Sequence, residues 1–239
     1  MKSHLVTKRH LAVQGREDRK ETMKDDGRLI DGKRFHLKKS DVKLFRRLKK
    51  AIDALDRVLQ KSGKIPDLDR REFIASMTVG YFSVMIVLRD VLTSSLDVKH
   101  HSVRRVVNAS YTAEQGLLAV FVTAGAAARA QPWLAWEIMT QYNSIALHHG
   151  RMMKRLNGAI VSALRKAVCT LEGRKEGIKN LGDYLTEIAV FSLQVEENIH
   201  ILLDNSDLLR LEEHQVSQLH QMLGRVKTLL KWKRPRPQS

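Results

Sequence analysis

Apolar side chains recur every third and fourth residue in six successive segments of this chain, separated by glycine, proline or clustered polar residues. That spacing matches the about 3.6 residues per turn of an α-helix, so each segment predicts a helix with one stripe to bury. Six such stripes bury themselves by converging. The fold class expected is therefore all-α, a helical bundle of about six helices. Only 4 prolines and 5% aromatic residues in 239 agree with this, because straight-chain residues lose little rotamer freedom in a helix.

Ser40 is placed to cap a first helix near 41–62, whose stripe is Leu44, Leu48, Ile52, Leu55 and Leu59; Gly63 and Pro66 close it. Asp67 or Asp69 caps a second helix reaching about Leu96. A polar stretch with Lys99, His100 and His101 leads into a third, which ends before Pro132. A fourth runs from Trp133 to the region of Leu171, where Gly173 and Gly177 break it. The fifth places Leu181, Leu185, Ile188, Val195, Ile199 and Leu202 on one seam. The sixth, about 208–231, sets Leu209, Val216, Leu219, Leu223, Val226 and Leu230 in near-heptad register. Narrow seams of that kind also dimerise, so self-association stands beside intramolecular packing as an expectation.

The longest uncharged run, Phe73–Leu88, lies in the second helix and contains Ser76, Thr78, Gly80 and Ser83. It is shorter than the about 20 apolar residues of a membrane span, which predicts a buried core helix. Before the bundle, residues 1–39 have no apolar period and form a basic arm expected to be largely disordered alone. Asp31-Gly32 predicts a short hairpin within 28–37. The bundle itself is assigned to 40–231, and 232–239 to a basic tail in which Pro235 and Pro237 stop any helix. No leader-like apolar segment opens the chain and Cys169 has no disulfide partner, so the expected setting is intracellular.

The charge is unevenly placed. Residues 1–50 hold 17 Lys/Arg against 7 Asp/Glu, residues 225–239 hold 6 against none, and 51–224 balance at 19 and 19, which accounts for the net +16. Inside the balanced part the signs still separate: 99–174 is net +7 and 175–222 is net −6. The acidic block can neutralise the basic one within a bundle or between neighbouring copies, and both readings stay open.

Two helices concentrate cations opposite their apolar stripes. On the first these are Lys43, Arg46, Arg47, Lys50, Arg57, Lys61 and Lys64; on the fourth, Arg151, Lys154, Arg155, Arg165 and Lys166 beside His148. Arg104 and Arg105 add to the same carboxylate-poor stretch, where Glu114 and Glu137 are the only acids between Val98 and Leu171. Surfaces usually mix signs, so such ridges imply an anionic partner. Arg34 in the arm and Lys231, Trp232, Lys233, Arg234 and Arg236 at the end extend the set. With few aromatics near these cations, chiefly Phe35, Phe45 and Trp232, phosphate contact is favoured over base stacking.

Chemistry of other kinds is poorly supported. Adjacent histidines at His100-His101 and His148-His149 point about 100° apart on a helix and do not share a metal ion, and no HxxxH, CxxC or HExxH occurs. Glu196-Glu197 and Glu212-Glu213 lie in polar helical segments rather than an apolar cleft that would split their pKa values. Arg210 with His214 is the one nuclease-like spacing, and it falls in the acidic block. Gly116, Gly125 and Ala126 to Ala128 beside Trp133 and Trp136 fit close helix packing more cheaply than a pocket. No cofactor, metal or catalytic activity is expected. The function expected is nucleic-acid binding, RNA or DNA, through phosphates and without sequence preference. The alternative is a scaffold subunit of a larger assembly, and peripheral attachment to anionic membranes comes third.

Overall fold

The computed structural model describes residues 29–30, 33–34, 39–62, 65, 68–93 and 100–232. The expected disorder of the arms, the side chain of Arg34, and Lys64, Lys233, Arg234 and Arg236 lie outside this description. Contacts divide the chain into Met1–Val42 and Lys43–Ser239. In the first unit β1 (Leu29–Ile30) pairs antiparallel with β2 (Lys33–Arg34), Leu29 opposite Arg34 and Ile30 opposite Lys33; the turn expected at Asp31-Gly32 lies outside the described residues.

The larger unit is all-α. Helix α1 (Lys39–Lys61), which belongs to this unit from Lys43 on, buries Leu48, Ile52, Leu55 and Leu59 on the predicted stripe. The α2 helix (Arg70–Thr93) starts where Asp69 Oδ1 accepts the backbone N–H groups of Arg71 at 2.9 Å and Glu72 at 3.1 Å, satisfying two orphan donors. It is long and apolar enough, over Arg70–Arg89, to cross a membrane by length and composition. Here it packs on helix α3 (His100–Ala130) and buries Met77, Tyr81, Val84 and Leu88. Gly80 and Gly116 make the close approach: a Cβ on Gly80 would stand 3.0 Å from Thr112 Cγ2, and one on Gly116 3.3 Å from Met77 Cγ. Gly125, Ala126, Ala128, Trp133 and Trp136 are instead exposed, which corrects the expectation that this whole group serves packing.

Pro132 opens α4 (Pro132–Glu176), the position where its missing N–H costs nothing. With 45 residues it is the spine of the fold, lying against α2, α3 and the two later helices. Gly173 does not break it; the helix ends one turn later at its cap, Gly177. The next segment begins with α5 (Leu181–Asp183), passes through a π-helical turn (Tyr184–Ala189) and continues as α6 (Val190–Asp204). The π turn corrects the fifth seam. Ile188, Val195, Ile199 and Leu202 are buried as expected, but Leu181 and Leu185 face outward and Tyr184 takes the inner position.

A second correction concerns the start of the sixth helix. A short α7 (Ser206–Leu209) ends at Arg210, whose φ of 54° is left-handed, and α8 (Glu213–Leu229) begins after a capping box in which Glu212 and Gln215 exchange side-chain bonds with each other's backbone. Its buried seam, Leu219, Met222, Val226 and Leu229, is consumed inside the chain against α4 and α6. Lys175 Nζ donates to the carbonyls of Thr228, Leu229 and Lys231 at 2.9 to 3.1 Å, placing a cation on the negative end of α8.

Candidate polyanion-binding face

The two predicted ridges are exposed surfaces. On α1 the side chains of Lys43, Arg46, Arg47, Lys50, Arg57 and Lys61 are exposed. On α4, Arg151, Lys154, Arg165 and Lys166 are exposed while Leu156, Ile160, Leu164 and Leu171 are buried on the opposite side. Arg155 is half-buried and engaged. His148 is half-buried on α4. Its own burial, then the guanidinium of Arg151, then that of Arg47 hold its pKa below the ordinary imidazole value. Its Nδ1 is buried with no hydrogen-bond partner among the described residues. A guanidinium from each helix therefore bears on one imidazole.

Other cations are answered by carboxylates of the same molecule. Lys154 Nζ lies 2.8 Å from Glu212 Oε1, which keeps the Lys154 pKa above and the Glu212 pKa below their ordinary values. Arg104 lies 3.5 Å from Glu197, and Arg225 binds Glu172 through two nitrogens. Part of the acidic block thus neutralises its basic counterpart within one chain. These exposed pairs are screened by salt and exchange readily for a competing anion. Arg105, also engaged, lines a groove of about 350 Å³ between α2 and α3 with Ser83, Ile86, Val87, Asn108, Ala109 and Thr112. At the C-terminus Lys231 is exposed, but the ring of Trp232 lies 4.8 Å from that of Tyr184 and is half-buried, so the aromatic expected to reach a base is held on the molecule.

His149 does not join its neighbour His148 beside the ridge. It points inward, 1% exposed, with Nε2 3.1 Å from Glu114 Oε1, and Arg210 reaches the same oxygen at 2.8 Å. Tyr81 sets its ring at 71° to His149, centroids 5.7 Å apart. Burial and the Glu114 charge push the Tyr81 hydroxyl well above its ordinary range, while burial outweighs Glu114 and holds the His149 pKa down. This interior cluster ties α2, α3, α4 and the α7–α8 connection together. The signal for it was Glu114 itself, a carboxylate alone in an apolar stretch. Among the described residues no three His, Cys, Asp or Glu side chains gather as a metal-binding group. No family model, no curated protein and no solved structure matches the chain.

Proposed function

We propose that this chain is a non-enzymatic nucleic-acid-binding protein, of a packaging or ribonucleoprotein kind, that meets phosphates along the α1 and α4 ridges. The observation that carries the reading is the exposure of Lys43, Arg46, Arg47, Lys50, Arg57 and Lys61 along α1 and of Arg151, Lys154, Arg165 and Lys166 along α4, each row opposite a buried apolar stripe. Like charges lined along a helix face repel one another, and phosphates laid along it relieve that repulsion and release counterions from the nucleic acid. The basic arm with Arg34 and the tail with Lys233, Arg234 and Arg236 add charge without adding sequence readout.

The test is a salt titration with random single- and double-stranded oligonucleotides. Expected is a linear fall of log affinity with log salt, with a slope of about −0.9 per phosphate neutralised on duplex and about −0.7 on single strands. Arg47→Glu with Arg151→Glu should weaken binding to all sequences alike. Affinity that is absent at low salt, or flat against salt, removes the reading.

A second reading, an assembly subunit, is favoured by a separate observation: exposed aliphatic side chains on the acidic segment, Leu181, Leu185, Val190 and Leu193.

A further inference from the structure

Those four side chains are 49 to 55% exposed, and their spacing is four, five and three residues. In an uninterrupted α-helix the nine residues from Leu181 to Val190 turn the chain through about 900°, which sets the two on opposite sides. The π turn at Tyr184–Ala189 absorbs the extra residue. Tyr184, Ile188, Ser192 and Val195 stay buried on one side, and the four aliphatic residues line up on the other. The stripe then runs into His200 and Asp204, both exposed, with Asp183 and Glu187 exposed beside it, while Glu197 next to them is already paired with Arg104.

An acidic rim selects the occupant. Two copies meeting stripe to stripe would bring these carboxylates together, so an isologous contact is disfavoured. A partner has to be apolar and basic. This chain carries such a surface on α4: Trp136, Leu147, Arg151, Lys154 and Arg165 fall within about 60° of one another around the helix. Trp136 and Leu147 are 76% and 53% exposed. Both faces read apolar first and charged second along their helices, with opposite sign.

We propose that the π turn builds a docking stripe for a second copy of this chain, which presents its α4 face in a heterologous, head-to-tail contact. The contact does not rest on nucleic-acid binding. It shares Arg151 and Lys154 with that reading, so nucleic acid and a neighbouring copy compete for α4.

The experiment is sedimentation velocity on the full-length, nucleic-acid-free chain across a wide concentration range, at low and at high salt. Wild type should associate at low salt and dissociate at high salt. Leu185→Glu with Leu193→Glu should weaken association at least about tenfold, as loss of central aliphatic anchors does. So should Leu147→Glu with Arg151→Glu on the other face. Mixing the two variants should restore dimers and nothing larger, because each retains one intact face. Leu185→Gln with Leu193→Gln, a milder change checked by circular dichroism, guards against misfolding. A wild-type chain that stays monomeric at low salt overturns the proposal, as does a stripe variant that associates like wild type or a mixture that restores nothing. The nucleic-acid reading is judged separately, by whether the stripe variant keeps salt-dependent oligonucleotide binding.

Discussion

His149 is the residue whose environment most exceeds its sequence context. Glu114 favours its charged form, but burial and Arg210 oppose it, and the net pKa lies below 6.5. The unfolded chain therefore binds a proton more readily than the folded one between 6.5 and the lower folded value. Stability is constant above that window and falls as pH drops through it; His148 acts in the same direction. Urea unfolding between about pH 7.5 and about pH 5 should show this loss. His149→Gln should flatten the pH dependence even where it lowers stability at neutral pH. An unchanged slope would mean that the buried imidazole does not titrate as its surroundings dictate. Glu114 stood out in the sequence as an isolated acid, yet nothing in the spacing told which of two adjacent histidines turned toward it. That depends on how α4 is rotated against α2 and α3.

At the scale of elements, what the helices require of each other can be read from two glycines. Gly80 sits where α2 meets α3, and Thr112 there cannot swing aside easily, since it is β-branched and its Oγ1 donates to Asn108 O at 2.9 Å. Gly80→Ala should cost about 1–3 kcal/mol by overpacking. Gly224 in α8 has nothing within 4 Å of the added carbon. Gly224→Ala should gain about 0.5–1 kcal/mol from reduced backbone entropy in the unfolded chain. Chemical denaturation midpoints compare the two, and equal effects would mean that helix propensity alone governs both sites. Two helix starts were legible, since Asp69 as a cap and Pro132 at a first turn carry local chemistry that no tertiary contact needs to supply; Ser40, expected to cap the first helix, instead lies inside α1, which begins at Lys39. The π turn and the left-handed Arg210 were not legible. Each trades local strain or an irregular hydrogen-bond pattern for packing elsewhere, Tyr184 donating to Leu229 O at 2.8 Å and Arg210 reaching Glu114.

For the whole molecule, a net charge of +16 on a chain that neutralises only part of its own cations predicts stabilisation by any polyanion that prefers the folded form. Heparin at low salt should raise the melting temperature, by an amount equivalent to about 2.7 kcal/mol at a hundredfold excess over its dissociation constant. Sodium chloride of matched ionic strength should not, and Arg47→Glu with Arg151→Glu should blunt the rise. The placement of charge was decided by sequence alone: cations opposite the apolar stripes of α1 and α4 follow from the helical period, and Leu48, Ile52, Leu156 and Ile160 are buried where that period puts them. Tertiary structure decided which cations have company. Lys154 meets Glu212 and Arg104 meets Glu197 across 58 and 93 residues of chain. The phase of a helix is local, because 100° per residue needs no neighbour, but the partner of a side chain is set by which helices fold against each other.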